Sequence, residues 1–220
     1  LDLETSRTEA SGSTKERTIT TQWHPTFRLP ALITEPGRTT GFTYDGAGNM
    51  LTKTVTDTAT SSARTWTYTY NSIGQVLTVD GPRTDVSDVT TYAYDSATGN
   101  LLSVTNAAGH ITQITSYDAN GRPLTVVDPN GLTTTLTYAP RGWLTSRKVG
   151  GETTIYDYDF AGQLTKVTLP DSSFLEYVYD PAHRLTEIHD NLGNKIVYTL
   201  DNMGNRTQED VRDPSNALAQ

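Results

Sequence analysis

The chain has no cysteine in its 220 residues. Disulfides and thiolate metal sites are therefore excluded, and the redox compartment stays open. No apolar run approaches the ~20 residues that cross a bilayer as a helix. Leu1 to Arg17 is polar and lacks the apolar centre of a secretory leader. Because the first residue is Leu rather than Met, the expectation is a piece of a longer protein, with export undecided. Blocks of like charge are missing too. Seventeen basic residues are outnumbered by 25 acidic ones, for a net charge of −8, and both signs are scattered. Phosphate recognition needs clustered Lys and Arg, so nucleic acid and anionic membranes are disfavoured as partners. There is no phosphate-cradling glycine loop, no nucleophile elbow and no helical periodicity of apolar residues, and no cofactor is expected.

What is present is a repeat. Tyr156-Asp157-Tyr158-Asp159-Phe160-Ala161-Gly162-Gln163-Leu164-Thr165 reads as strand, turn and new strand. Tyr156 and Tyr158 share a face because side chains alternate along a strand. Asp159 accepts hydrogen bonds from nearby N–H groups, and Gly162 tolerates the left-handed backbone that closes a type I hairpin turn. The same unit recurs at Gly48, Gly74, Gly99, Gly121, Gly142, His183 (in the glycine position) and Gly204, making eight copies. The step shortens from 26 residues (Gly48 to Gly74) to 20 (Gly142 to Gly162) and then holds near 21. A weaker ninth copy, Trp23 to Leu29, carries Phe27 in the glycine position. Each repeat has two strands and two turns, which predicts an all-β antiparallel meander of hairpins, with turns at Asp159–Gly162 and Asp180–His183.

The organisation follows. Residues 1–17 read as a polar lead-in or the end of an earlier repeat, 18–211 as an array of eight to nine repeats, and 212–220 as the start of a further repeat or a tail. Thr56 to Ala63 and Gly81 to Asp88 are polar insertions behind the two longest steps and are expected as longer rim loops. A meander of about sixteen strands at ~4.8 Å each is too wide to stay flat and should curl. In Thr65 to Tyr70, Trp66, Tyr68 and Tyr70 point one way and Thr65, Thr67 and Thr69 the other. The aromatic face should be covered and the threonine face can be wet. Packing between repeats is the ordinary use of such a stripe; Trp66, Tyr68 and Tyr70 are also the candidate glycan-facing residues.

These residues resemble the Rhs, or YD-repeat, family, whose signature is close to Tyr-x-Tyr-Asp-x-x-Gly-Arg-Leu-x-x-Val. Tyr156 to Val167 matches with Gln163 for Arg, Tyr177 to Ile188 with His183 for Gly, and Tyr117 to Val127 keeps Asp118, Gly121 and Arg122. The resemblance covers nearly the whole chain. It implies a β-ribbon spiralling into part of a hollow shell, which in bacterial members encloses a C-terminal toxin domain of an exported effector. The partners it implies are the rest of the shell, the enclosed toxin and secretion-machinery proteins. Animal relatives are adhesion proteins, and a carbohydrate-binding or adhesion module is the alternative reading.

The resemblance also raises the question of autoproteolysis, since family shells can end in paired Asp-Pro-x-Gly-Leu segments. Asp128-Pro129-Asn130-Gly131-Leu132 fits once, without a second copy. A carboxylate pair works because one member holds a proton while the other is ionised, and a lone turn Asp does not supply that. Asp157 and Asp159 lie two apart on one strand face, a spacing common in carboxylate sites, although Asp159 is the motif's turn former. His24, His110, His183 and His189 are dispersed, without metal-ligand spacing. Asn205-Arg206-Thr207 fits the N-glycosylation pattern formally. The expectation is a non-catalytic structural segment.

Overall fold

A computed structural model describes residues 3–218. They form nineteen strands, with no helix among the described residues. The chain divides into two compact units, Leu1–Gln113 and Ile114–Gln220.

In the first unit β1 (Ser6–Glu9), β2 (Arg17–Trp23), β3 (Pro30–Glu35), β4 (Arg38–Tyr44), β5 (Met50–Asp57), β6 (Ala63–Tyr70), β7 (Val76–Asp80), β8 (Thr90–Tyr94) and β9 (Leu101–Thr105) each pair antiparallel with the next. The start of β10 (Ile111–Tyr117) pairs with β9 through Ile111, Thr112 and Gln113. In the second unit β11 (Pro123–Val127), β12 (Thr133–Tyr138), β13 (Leu144–Val149), β14 (Glu152–Tyr158), β15 (Leu164–Thr168), β16 (Phe174–Tyr179), β17 (Leu185–Asp190), β18 (Lys195–Leu200) and β19 (Arg206–Arg212) do the same. The expected antiparallel meander is the observed one.

Local chemistry sets the register. At the Tyr-x-Tyr end of each hairpin the pairing skips a residue: Asp157 faces Lys166 but Tyr158 faces Leu164, leaving Thr165 as a bulge. The same shift occurs at Tyr44, Tyr70, Tyr94, Tyr138, Tyr179 and Leu200. At these hairpins the turn ends on a left-handed residue, a geometry that commonly leaves a bulge. All eight repeat positions are left-handed, from φ 63° at His183 to φ 95° at Gly142.

Three local expectations are corrected. Phe27 occupies the glycine position of the ninth copy but is not left-handed; the turn is closed by His24 N donating to Leu29 O at 2.8 Å, one residue wider than the common form and equal in span to Asp95 N to Asn100 O. Thr56, Asp57 and Ala63 are strand residues, because β5 and β6 pair out to Thr56 and Ala63, so that loop shrinks to Thr58–Ser62. Asp159 lies beyond the end of β14 and so shares no strand face with Asp157. Gly81 to Val89 is irregular throughout. Near the chain ends, Ser6–Glu9 forms β1, and the turn Asp213–Ala217 brings Leu218 into a bridge with Arg212.

No described residue is fully buried. A single layer of sheet has nothing stacked on either face, so its apolar side chains are at best half-covered. In β6 the alternation is plain: Trp66, Tyr68 and Tyr70 are half-buried, while Thr65, Thr67 and Thr69 are exposed.

Candidate functional site: stacked turns and the aromatic face

The repeat turns are built on one acidic or amide side chain, except in the Gly142 copy, where Ala139 stands in its place and the turn closes through backbone hydrogen bonds, Ala139 N to Trp143 O among them. Asp45 Oδ1 accepts from Ala47 N and Asn49 N at 2.9 Å each. Asp159 Oδ1 accepts from Ala161 N and Gln163 N at 2.9 Å each. Asp180 Oδ1 accepts from Ala182 N and Arg184 N, and its Oδ2 takes Arg184 Nε at 2.7 Å. Asn71 Oδ1 does the same work for Ile73 N and Gln75 N. Where the group is a carboxylate, these donors favour the ionised form. The Asn49 side-chain amide first, then its backbone N–H, holds Asp45 below the usual carboxylate range. The Arg184 guanidinium is the largest cause of the same shift at Asp180.

In several repeats the residue after the glycine position reaches into the next turn, whereas Asn49 and Asn205 turn back to Asp45 and Asp201 of their own turns. Gln75 Nε2 donates to Gly99 O at 2.8 Å, Gln163 Nε2 to His183 O at 2.9 Å, and Arg184 Nη1 to Asp201 O at 3.1 Å. Trp143 takes this place over Gly162. A Cβ added there would lie 2.6 Å from Trp143 Cζ2, so glycine is required for packing as well as for its φ of 92°.

In the repeats of Tyr44, Tyr70 and Tyr179 the second tyrosine of the motif ties its repeat to the one before. Tyr44 OH donates to Pro30 O and Tyr70 OH to Met50 O, both at 2.8 Å, and Tyr179 OH donates to Leu164 O at 2.9 Å. In each case the acceptor is the first residue of the preceding repeat's second strand. Burial pushes all three phenols up, which keeps them protonated as donors. Cations cover other rings: Arg122 lies 4.9 Å from the centre of Tyr138 and Arg206 4.7 Å from that of Tyr198.

The remaining sequence candidates fall into this scheme. Asp128 Oδ1 accepts from Asn130 N and Leu132 N, and Gly131 N donates to Asp128 O, an ordinary turn. Asp157 stands on β14 opposite Lys166, whereas Asp159 is spent on its turn. His24 Nδ1 accepts from Thr26 N and Phe27 N, and His183 pairs with Gln163. His189 lies on β17 with Nε2 2.9 Å from Glu176 Oε2; its Nδ1, 3.3 Å from Glu187 Oε1, is in ion-pair range without hydrogen-bond geometry. Asn205 Nδ2 donates to Asp201 Oδ2, as Asn194 does to Asp190. Among the described residues no three acidic or imidazole groups converge as a metal site. The tyrosine ties and turn-to-turn bonds escape sequence reasoning, because they depend on which carbonyl the register places a repeat away.

Successive hairpins whose turns and tyrosines grip neighbouring repeats, with no core of their own, define a repeat protein whose units are stable only together. Residues 35–208 match the family described as Teneurin YD-shell. The chain belongs to that YD-shell family. Several solved structures share its fold. "TcdB2-TccC3" matches with a TM-score of 0.72 at 17% identity, over 94% of this chain and 14% of that one. "TcdB2-TccC3-Cdc42" gives 0.71 at 17%, over 94% and 13%. "TcdB2-TccC3 without hypervariable C-terminal region" gives 0.70 at 18%, over 89% and 11%. The chain thus spans only a small part of these much longer chains. No curated protein matches it.

Proposed function

We propose that the chain is a non-catalytic stretch of shell wall that, within a longer exported protein, helps to enclose a C-terminal toxin domain. The observation that carries this is the continuous grip of repeat on repeat: Tyr70 to Met50, Gln75 to Gly99, Tyr179 to Leu164 and Arg184 to Asp201 all spend side chains on neighbouring repeats. The turn carboxylates, Asp128 included, are consumed by backbone N–H groups. The rest of the shell and the enclosed domain are its partners, and secretion machinery delivers it; the repeat array is taken to run over 18–211. The test is limited proteolysis of the parent protein. In the unaltered parent the segment beyond the shell should resist protease. With Tyr70→Phe and Tyr179→Phe together it should become sensitive while the shell still folds by circular dichroism. Equal sensitivity in both, or a specific self-cleavage of this chain lost in Asp128→Asn, would refute the reading.

A second reading rests on β6. Among the described residues Trp66 Nε1 and Tyr68 OH make no hydrogen bond, whereas the Tyr70 hydroxyl is engaged. An aromatic stripe with free donors suits a saccharide. Titration with neutral oligosaccharides, reading the fluorescence lost in Trp66→Phe, tests it; no saturable change sinks it.

A further inference from the structure

Three cations of the first unit share the aromatic face on three adjacent strands. Arg38 on β4 faces Asp57 on β5, Val55 on β5 faces Arg64 on β6, and Lys53 on β5 faces Trp66 on β6. Paired residues of a sheet lie on one face, and residues two apart stay on it, so Arg38, Lys53 and Arg64 all point to the side of Trp66 and Tyr68. In a chain of net charge −8 this grouping runs against the prevailing sign.

The nearby carboxylates leave two of these cations uncompensated. Glu35 is held by Arg38 Nε at 2.9 Å. Asp57 Oδ1 turns into its own loop, accepting from Ala59 N, Thr60 N and Thr60 Oγ1 at 2.8–3.0 Å. Among the described residues Arg64 and Lys53 have no carboxylate partner; Lys53 Nζ instead lies 5.5 Å from the centre of the Trp66 ring.

A cleft of about 360 Å³ opens beside them, lined by Gly37, Arg38, Val55, Asp57, Ser62 and Arg64. Its walls are tied together, since Thr58 N donates to Gly37 O at 3.1 Å. One wall is set in a costly shape, with Ser61 at φ 57°. Its floor is apolar at Val55, and two guanidinium groups stand on its sides.

We propose that Arg64 and Lys53 dock an extended acidic peptide segment of a partner polypeptide. The guanidinium fork of Arg64 takes a carboxylate in two parallel N–H···O bonds, and Lys53 supplies a point charge for a second. Arg64 pairs with Val55, so Lys53 is its diagonal neighbour on the next strand, at about 7–8 Å between backbones. An extended peptide repeats its side chains on one side about every 6.7 Å, so carboxylates two residues apart can reach both cations. The intervening apolar parts lie against Val55. A neutral saccharide is the poorer fit at this spot, because it carries no charge to meet Arg64 and Lys53. The site is separate from any neutral sugar surface at Tyr68, and it does not depend on that reading.

The experiment is calorimetric titration of the full 220-residue chain at low salt. The probe is a blocked hexapeptide alternating Glu and Val; its Gln-Val counterpart and trigalacturonate serve as comparisons. The Glu-Val peptide should bind saturably. The Gln-Val peptide, and the double variant Arg64→Gln with Lys53→Gln, should each weaken binding about fivefold, the loss expected of two exposed charge contacts. The variant's unfolding curve should be unchanged. Arg206→Gln, which removes a cation stacked on Tyr198 in the second unit, should bind as the unaltered chain does. Failure to bind the Glu-Val peptide, equal binding of the Gln-Val peptide, full affinity in the double variant, or equally tight trigalacturonate would each overturn the proposal.

Discussion

On the first unit's face opposite the tyrosines, hydroxyls meet hydroxyls across the strands: Thr43 and Thr52 at 2.7 Å, Thr54 and Thr65 at 2.9 Å, Thr69 and Thr78 at 2.6 Å. On the second unit's corresponding face, the register puts Asp157, Lys166, Glu176, His189, Lys195 and Arg212 in one line across β14–β19. Lys166 Nζ is 2.8 Å from Glu176 Oε1 and 3.7 Å from the centre of the Phe174 ring. One backbone plan carries neutral hydroxyl pairs in one place and linked charges in the other. The lesson is that the repeat constrains the aromatic face and the turns, where side chains reach other repeats, and leaves the opposite face free to vary.

The largest expected effect separates two turns. Gly162→Ala meets Trp143 and a φ of 92°, whereas Gly74→Ala, at φ 82°, approaches only the movable Asn49 Oδ1 at 3.2 Å. Backbone strain alone costs on the order of 1–3 kcal/mol, and the rigid indole adds to it. Gly162→Ala should therefore lose about 3 kcal/mol and Gly74→Ala about half that. Denaturant unfolding of both variants decides; equal losses would mean that Trp143 yields freely.

If the two units share the tyrosine tie, Tyr70→Phe and Tyr179→Phe should cost the same, about 1 kcal/mol each, the net worth of one hydrogen bond. A difference above about 1 kcal/mol between them would show that the tie does unequal work in the two units.

Smallest is the polar face. Glu176→Gln should lose a little stability at low salt and less at high salt, because both partners are about a third exposed. Thr65→Val in the first unit should show no salt dependence. Glu176 is held below its ordinary value, mainly by the Lys166 ammonium and then by His189. A carboxyl with a depressed folded pKa contributes stability that is present above its unfolded pKa, near 4.3, and lost as pH falls through the folded value. Stability curves from pH 6 down to pH 3 should thus fall less steeply in Glu176→Gln. An unchanged acid slope would show that the charge line contributes nothing measurable.

The meander, the turns and the faces were legible because each depends on residues close in sequence. Asp159 and Gly162 announce a turn by their own chemistry, and His183 could be placed in the glycine position from spacing alone. What was not legible depends on partners a repeat away. The acceptor of Tyr70 OH is a backbone carbonyl, which leaves no residue-type signal. The indole of Trp143 over Gly162 needs the offset between neighbouring turns. The bulges hide in the pairing, since Thr165 looks like any strand threonine until Tyr158 is found opposite Leu164. Thr56 and Ala63 read as loop because polarity was taken for irregularity, yet a Thr-rich strand is as polar as a loop.

The grip of one turn on the next has an evolutionary consequence. Gln75, Gln163 and Arg184 each reach forward to a main-chain carbonyl, so what they recognise is the shape of a turn and not its sequence. A duplicated hairpin pair finds its forward and backward partners already in place, whereas an inserted single residue in a strand reverses every side chain beyond it. Such a chain can therefore lengthen or shorten by whole repeats of 20 to 26 residues, the spacing found from Gly48 to Gly204, without disturbing the grip of one turn on the next.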